Sequence, residues 1–234
     1  MNPSENNGQT PLHWAALEGH TSVCEAIMKN VSDKNPSNNQ GQTPLHMAAH
    51  GSHTSVCEAI IKNVSNKNPS DNQGWTPLHW AAYRGNTSLC EAIIKNISDK
   101  NPSDNNGQTP LHWSAHEGHI AVCEAIMKNV SDKNPSNNQG RTPLHLAAQR
   151  GYASVCEGIM KNITDKNPSD NDGRTPLHDA ARKCHIQVIK AILNQVSNKN
   201  PVDSKGRTPK EMFLRNATKN IWKMRYRLDD IDWE

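Results

Sequence analysis

The four residues Thr76-Pro77-Leu78-His79 return every 33 residues and decide how the chain is organised. Copies begin at Thr10, Thr43, Thr76, Thr109, Thr142 and Thr175, and a degenerate copy begins at Thr208. Asn-Pro pairs recur with the same period at Asn2, Asn35, Asn68, Asn101, Asn134, Asn167 and Asn200. These two columns contain all 14 prolines, so a disordered chain, which the polar composition alone would suggest, is excluded.

One unit, residues 68–100, contains a turn signal followed by two short helices. Residues 68–74 combine Asn, Pro and Gly, which favour a turn. Thr76 is placed to cap a helix that Gly85 ends, and a second helix is predicted from about Thr87. The apolar residues of the second helix are Leu89, Cys90, Ile93, Ile94 and Ile97. Because two short helices cannot bury their apolar faces alone, we expect stacked units with one continuous core.

The motif Thr-Pro-Leu-His-Trp-Ala-Ala, followed by Gly-His, resembles the ankyrin repeat at this period, and the resemblance covers residues 2–210. It implies an all-α ankyrin-repeat solenoid, in which helix–turn–helix units are joined by β-hairpin fingers and form a right-handed, curved stack. It also implies that partners bind the concave side, made of the finger tips and the exposed face of the first helices. Ser52 and Cys184 stand near or at the place of the pattern's glycine, so we expect altered helix ends there.

The period divides residues 2–199 into six expected repeats and leaves 200–234 as a degenerate capping repeat and tail. The repeats are 2–34, 35–67, 68–100, 101–133, 134–166 and 167–199. The cap is expected to cover the sixth repeat with Met212, Phe213, Ile221, Trp222, Met224 and Leu228. Its basic stretch, 219–227, is alternatively a membrane or partner motif. Unit 1 has no comparable cap, so either further repeats precede Met1 or unit 1 contacts a partner.

Composition and charge exclude several function classes. The formal net charge of +3 is too small to indicate nucleic-acid binding. No apolar run approaches the roughly 18 residues of a transmembrane helix, and the first residues contain no apolar signal segment. We therefore expect an intracellular protein, in the cytoplasm or the nucleus, that is monomeric and binds a protein partner.

The cysteines and histidines follow the period and do not form a reactive site. Five cysteines are equivalents in successive units: Cys24, Cys57, Cys90, Cys123 and Cys156. Stacked helices lie about 8–10 Å apart, whereas a disulfide needs Cα atoms within about 7 Å, so we expect free thiols in the core. Six of the 12 histidines end the motif, and the resemblance implies that they hydrogen-bond to neighbouring turns. Without a nucleophile–base set or a phosphate-binding glycine loop, we expect no catalysis, no metal site and no cofactor.

Two columns of asparagine match modification patterns. Sequons begin at Asn30, Asn63, Asn96, Asn129 and Asn162, and we interpret these copies of one position as residues that end a helix. By the resemblance, Asn35, Asn68, Asn101, Asn134 and Asn167 match the loop asparagine that is β-hydroxylated in some animal ankyrin repeats. A proline follows each of them, which the usual pattern lacks, and their hydroxylation is a hypothesis.

Three columns vary between units and are therefore free of the shared packing demand. The residue after the finger glycine is Gln9, Gln42, Trp75, Gln108, Arg141, Arg174 or Arg207. The residue after the motif histidine is Trp14, Met47, Trp80, Trp113, Leu146 or Asp179. The pair at the end of the first helix is Leu17-Glu18, His50-Gly51, Tyr83-Arg84, His116-Glu117, Gln149-Arg150 or Arg182-Lys183. The resemblance implies that these columns face the concave groove.

The variable columns predict a binding face with two parts. Units 3 and 4 collect Trp75, Trp80, Tyr83, Arg84, Trp113 and His116, the residue types that dominate binding hot spots. Units 5 and 6 collect Arg141, Arg150, Arg174, Arg182 and Lys183, which favour an acidic stretch. We therefore predict a scaffold that binds an acidic protein segment.

Simpler interpretations stand beside this prediction. The tryptophan column could fill space between the first helices, although Trp75, on a finger, is not expected in the core. The basic residues could form a solvated surface. For the function, the alternatives are a structural or regulatory segment of a larger protein and the binding of phosphate-bearing ligands at the basic end.

Overall fold

The computed structural model describes residues 6–217 and 231–233, which contain 13 α-helices and no β-strand. The helices are α1 (Pro11–Leu17), α2 (Thr21–Asn30), α3 (Pro44–His50), α4 (Thr54–Ile61), α5 (Pro77–Tyr83), α6 (Thr87–Ile94), α7 (Pro110–Glu117), α8 (Ile120–Met127), α9 (Pro143–Arg150), α10 (Ala153–Met160), α11 (Pro176–Lys183), α12 (Ile186–Leu193) and α13 (Pro209–Ala217). The odd-numbered, first helices pack on one another along the stack, and the even-numbered, second helices do the same. The result is a solenoid of helix pairs.

The motif Thr-Pro-Leu-His begins each first helix because its residues suit a helix N-terminus. The threonine has an extended backbone. The proline that follows has no backbone N–H, so it leaves no donor unpaired in the first turn of the helix. In unit 3 the Thr76 N–H donates to His79 Nδ1 at 3.1 Å, and Thr76 Oγ1 accepts from the His79 N–H at 3.4 Å. This reciprocal capping box satisfies N–H groups that have no partner inside the helix.

The same histidine ties each unit to the next. Because Nδ1 of His79 accepts a hydrogen bond, its proton lies on Nε2, which donates to the Gln108 carbonyl at 3.1 Å. Equivalent bonds of 3.0 Å join His13 to Gln42, His46 to Trp75, His112 to Arg141, His145 to Arg174 and His178 to Arg207. The hydrogen bonds that the resemblance implied to neighbouring turns are therefore confirmed.

Each finger is a tight turn closed by an Asp or Asn side chain. In unit 3, Asp71 Oδ1 accepts from the N–H groups of Gln73 and Trp75 at 2.9 and 2.8 Å. Gly74 in the same turn has a φ of 81°, which favours glycine. Since no described residue lies in a strand, the expected β-hairpins are not confirmed. The curvature and its hand stay predictions.

A ladder of asparagine side chains connects the fingers, and the sequence analysis missed it. The carboxamide of Asn72 donates to the Asn39 carbonyl one unit back at 3.1 Å. Equivalent bonds of 3.0–3.2 Å run from Asn39 to Asn6, Asn105 to Asn72, Asn138 to Asn105 and Asn171 to Asn138. Ser204 takes this place in the last finger. Its backbone N–H donates to the Asp172 carbonyl at 2.9 Å, and serine has no carboxamide to continue the ladder. The ladder fixes the spacing of the finger tips.

A histidine before the second helix holds the turn between the two helices of the preceding unit. His119 Nε2 donates to the Tyr83 carbonyl of the preceding unit at 3.1 Å. Gly85 has a φ of 74°, and a Cβ there would lie 2.6 Å from the His119 ring. Ser52 and Cys184 take the same left-handed conformation at φ of 62° and 59°, and the helices before them end as in other units. The expectation of altered helix ends was therefore wrong, because the backbone conformation is kept despite the side chain.

The core is one continuous cluster that extends from unit 1 to α13. The five periodic cysteines are fully buried and free, as expected. Burial raises the pKa of the Cys90 thiol to about 12, so the thiol stays neutral and packs as a small apolar group. Cys184 is half-buried.

The described part of the cap closes the core of unit 6. Met212 and Phe213 are buried, and the Phe213 ring lies 6.0 Å from that of Trp233. Ile231 is also buried, and Asn200 donates to the Trp233 carbonyl at 3.0 Å. Ile231 and Trp233 were not among the apolar residues expected to form the cap. The other four residues of the expected apolar set, Ile221, Trp222, Met224 and Leu228, lie outside the described residues, as does the basic stretch 219–227.

The left-handed residues make a stability prediction. Cys184→Gly and Ser52→Gly should each raise the free energy of unfolding by roughly 0.5–1 kcal/mol, because glycine adopts this conformation without a steric penalty. Gly85→Ala is the matched control and should lower it, since its Cβ meets the His119 ring. Urea unfolding followed by circular dichroism measures all three. A loss of stability in Cys184→Gly would contradict the assignment of strain.

The histidine bonds predict a loss of stability in acid. Burial lowers the pKa of His46, His79 and His112 to about 4, from an ordinary value of 6.5. Between these values the unfolded chain binds more protons than the folded chain, so stability falls as the pH falls from about 6.5 towards 4. Each histidine contributes a slope of up to about 1.4 kcal/mol per pH unit.

Urea unfolding between pH 7.5 and 4.5 checks this dependence. His79→Gln is the matched control, because Gln also completes a capping box but does not titrate. It should lower stability at pH 7 and reduce the slope in acid. A flat stability profile from pH 7 to pH 5 would refute the role assigned to the neutral imidazoles.

Candidate functional site

The three variable columns form one connected surface, which we call the variable stripe. A finger residue contacts the end of the first helix in its own unit and the residue after the motif histidine in the next unit. Trp75 makes these contacts with Tyr83 and Trp113. Arg141 makes them with Gln149 and Asp179. The same path thus carries aromatic contacts in units 3 and 4 and polar ones in units 5 and 6.

Four aromatic side chains, Trp75, Trp80, Tyr83 and Trp113, form the centre of the stripe, which we call the aromatic centre. The Trp75 ring centroid lies 4.5 Å from that of Trp80 and 4.6 Å from that of Trp113. Tyr83 meets both Trp75 and Trp113 edge-on, with centroids 5.9 and 6.0 Å apart. All four side chains are half-buried. Trp75 contacts aromatic side chains of the first helices but is not part of the core cluster, as expected, and each ring also keeps an exposed part.

Three polar atoms in and next to the aromatic centre are buried without a hydrogen-bond partner among the described residues. They are Nε1 of Trp80, Nε1 of Trp113 and Oε1 of Gln108. A buried polar group left unsatisfied costs about 1–3 kcal/mol. The packing of the aromatic centre therefore carries a cost in stability at these atoms.

Two Arg–His pairs flank the aromatic centre. Arg84 Nη2 donates to His50 Nε2 at 2.9 Å, and burial, followed by the nearby Arg84 charge, lowers the pKa of His50. Arg150 donates through Nε and Nη2 to His116 Nε2 at 3.0 and 2.6 Å. His116 Nδ1 then donates to Glu117 Oε1 at 2.6 Å. Both arginines are exposed and are oriented by imidazoles, so their charges face solvent.

Asp179 organises part of the basic end and was missed as a site residue. It is 2% exposed, and its Oδ2 accepts from Arg141 at 2.6 Å and its Oδ1 from Arg182 at 3.3 Å. Arg141 also donates to Gln149 Oε1 at 2.8 Å. Asp179 is the charged residue in a column that otherwise holds Trp, Met or Leu, and that exception could have identified it as a site residue. Arg141 thus serves largely to hold the stack together.

Arg174, and Arg207 in the last finger, also have acidic neighbours. Arg174 lies 3.2 Å from Asp172, and Arg207 donates to Asp203 Oδ2 at 2.6 and 2.9 Å. Burial opposes ionisation of Asp203, but the hydrogen bonds donated by Arg207 outweigh it and lower the pKa of the carboxyl to about 2. Lys183 is exposed at the end of α11. The basic end is therefore a surface of mixed charge, in which cations alternate with carboxylates.

The asparagine columns have structural partners. Asn35 Oδ1 accepts from the Leu45 N–H at 3.1 Å, and Asn68, Asn101, Asn134 and Asn167 make the same bond in their units. The sequon residue Asn30 donates to the Ala26 carbonyl at 2.9 Å at the end of α2, and its equivalents do likewise. Both columns therefore stabilise helix ends, and hydroxylation of the first stays a prediction.

The described residues contain no group of three or more His, Cys, Asp or Glu side chains able to hold a metal ion. None of their helices combines the length and the apolar character needed to cross a bilayer.

Comparison with known proteins identifies the repeat. The family model described as ankyrin repeats (3 copies) matches residues 1–71, 20–104, 51–137, 81–170 and 147–214. These overlapping matches cover nearly the whole chain. No curated protein matches the chain.

The Arg141–Asp179 pair predicts a strong coupling between two positions 38 residues apart. Asp179→Leu and Arg141→Gln copy Leu146 and Gln108, which other units carry at these places. Each single change should lower the free energy of unfolding by about 2 kcal/mol, because it leaves a largely buried charge without its partner. The double variant should lose about 1–2 kcal/mol less than the sum. Urea unfolding of the four proteins measures the coupling, and additive losses would show that the pair does not matter.

Proposed function

This chain belongs to the ankyrin-repeat family, and we propose that it is a protein-interaction scaffold whose partner segment binds along the variable stripe, on the concave side of the stack. Ankyrin repeats are generally protein-interaction modules, and the family is typically non-enzymatic. One observation carries the proposal: residues that differ between units meet in one connected surface, whereas the motif residues are occupied by packing and hydrogen bonds.

The aromatic centre is suited to supply the affinity. Trp75, Trp80, Tyr83 and Trp113 hold one another in place, so little conformational entropy is lost when a partner covers their exposed parts. Tryptophan and tyrosine at the centre of an interface each contribute about 2 kcal/mol or more.

The exposed cations favour an acidic partner segment. Arg84 and Arg150 are bonded to imidazoles and not to carboxylates, and Lys183 is exposed further along the stripe. Charges placed around an apolar centre mainly set orientation and association rate. An acidic segment would therefore be captured and aligned along the stripe before its apolar residues reach the aromatic centre.

Unit 1 favours a second candidate function, in which the array is a structural or regulatory segment of a larger assembly. Trp14 is 43% exposed and Val23 is 46% exposed, whereas Trp80, Leu89 and Val122 at the corresponding places are half-buried or fully buried. An apolar face of this kind is suited to contact with another repeat or with a partner. This contact would lie at one end of the stack, away from the aromatic centre.

A substitution borrowed from other units tests the main proposal. Trp75→Gln with Tyr83→Gln copies Gln108 and Gln149, so the fold should persist while the aromatic centre loses two of its rings. Any partner that the unmodified chain captures from natively expressing cells should be captured at least about 10-fold less by the double variant. Quantitative mass spectrometry of the captured proteins gives the measurement, and thermal melting verifies folding.

Two further variants make the result specific. Glu91→Gln with Lys95→Gln alters two exposed residues on the second-helix side, one in α6 and one at its C-terminal end, and should leave capture unchanged. Trp14→Met copies Met47 and tests the end of the stack. Capture that survives the loss of Trp75 and Tyr83 would sink the proposal, and its selective loss in Trp14→Met would establish the second candidate.

A further inference from the structure

A cleft lined by cations lies between the last two fingers and helices α11 and α13. Its volume is about 760 Å³. The charged residues that line it are Arg174, Arg182, Lys183, Arg207, Arg215 and Glu211. Glu211 Oε2 accepts the N–H of Thr208 at 2.8 Å, which holds this carboxylate at the start of α13. Five cations therefore line the cleft together with one carboxylate that is already engaged.

Carboxylates outside this lining hold the guanidinium groups in place. Asp203 fixes Arg207 through two hydrogen bonds of 2.6 and 2.9 Å, and Asp179 holds Arg182 at 3.3 Å. Each guanidinium has five N–H donors, so these bonds leave donors available. Arg174 pairs with Asp172 through Nη1, while its Nε–H is buried without a hydrogen-bond partner in the described part of the chain. The cleft thus presents guanidinium donors that are already oriented.

We propose that this cleft binds a phosphorylated side chain of the partner segment. A phosphate monoester has a charge of about −1.5 to −2 at pH 7 and three acceptor oxygens, which suits several guanidinium groups that converge. A single Asp or Glu of the partner offers one negative charge and two oxygens in a plane. The cleft also has room for a side chain together with its backbone, since ligand sites span roughly 300–1,000 Å³.

The surroundings of the cleft favour a peptide over a larger polyanion. A second cleft of about 420 Å³ shares Arg174 and Arg182 with the first and extends to Arg141, which leads along the stripe towards the aromatic centre. The side chain of Asp172, at the rim, is 62% exposed. Its charge would repel the dense phosphates of a nucleic acid or a lipid surface, whereas a single phosphate avoids it. This inference rests on the proposed function for the identity of the partner as a protein.

The fold also sets the distance between the two contacts. Stacked helices are about 8–10 Å apart, so roughly 30 Å separate unit 3 from the cleft between units 6 and 7. An extended chain advances about 3.3 Å per residue. The phosphorylated residue should therefore lie about nine or ten residues from the apolar residue that covers Trp75.

Titration with a short peptide tests the cleft by itself. The probe is a seven-residue Gly/Ser peptide with one central phosphoserine, added to the ¹⁵N-labelled full chain at pH 7. The backbone amide signals of Arg174, Arg182, Lys183 and Arg207 should shift. The same peptide with glutamate in place of phosphoserine should bind at least about 10-fold more weakly. Binding of the phosphopeptide should weaken from pH 7 to pH 5, because the second phosphate pKa is about 6.

Matched variants locate the effect. Arg182→Gln with Lys183→Gln should weaken phosphopeptide binding at least about 10-fold, while Asp179 keeps its bond with Arg141 and so preserves the fold. Arg84→Gln with Arg150→Gln removes two cations from the same stripe outside the cleft and should leave binding unchanged. Trp75→Gln with Tyr83→Gln should also leave it unchanged, so failure of the proposed aromatic contact and failure of the cleft can be told apart.

Three results would overturn the proposal. Equal binding of the glutamate peptide would show that the cleft reads only negative charge. Absence of shifts at the four amides with the phosphopeptide would show that no site exists. Stronger binding, at equal phosphate concentration, of vesicles containing phosphatidylinositol bisphosphate or of duplex DNA would assign the cleft to a membrane or a nucleic acid.

Discussion

The hydrogen bond from each motif histidine to the next finger is the contact on which the rest of the structure depends. Through Nδ1 the imidazole of His79 caps its own helix, and through Nε2 it holds the carbonyl of Gln108 in the following unit. The ring can do both only when it is neutral, and burial keeps it so. The start of one helix and the position of the next finger are therefore set by one side chain. This explains why the six complete copies of the motif all keep the histidine.

A fixed finger position brings the residue after its glycine against two first helices in units 3 and 5, although these residues differ in chemistry. Trp75 fills this space with aromatic contacts, and Arg141 fills it with an ion pair to Asp179. The two arrangements differ in chemistry but occupy the same place in the repeat. The array can therefore change its surface from unit to unit without changing its backbone, and this separation lets a repetitive fold carry a specific site.

Periodicity predicted the features that every unit shares and left undetermined those that depend on two different units. The helix starts and the free cysteines follow from one repeated pattern, and the histidine bonds were implied by the resemblance that this pattern carries. The Arg141–Asp179 bond does not, because it joins two exceptions to the pattern that are 38 residues apart. The asparagine ladder was missed for the opposite reason, since a residue identical in each unit gives no sign of whether its partner lies within the unit or beyond it. Ile231 and Trp233 pack against the last helix outside the period, where the pattern contains no information.

The internal ion pairs change what the basic end can recognise. Asp172, Asp179 and Asp203 reduce its net charge, which weakens attraction to any polyanion at long range. They also hold the guanidinium groups, so less side-chain entropy is lost when a ligand binds. The two effects act in opposite directions on non-specific and specific binding. A surface of paired arginines thus attracts polyanions less strongly but selects ligands by geometry. This property suits a scaffold that must distinguish one partner from many acidic proteins.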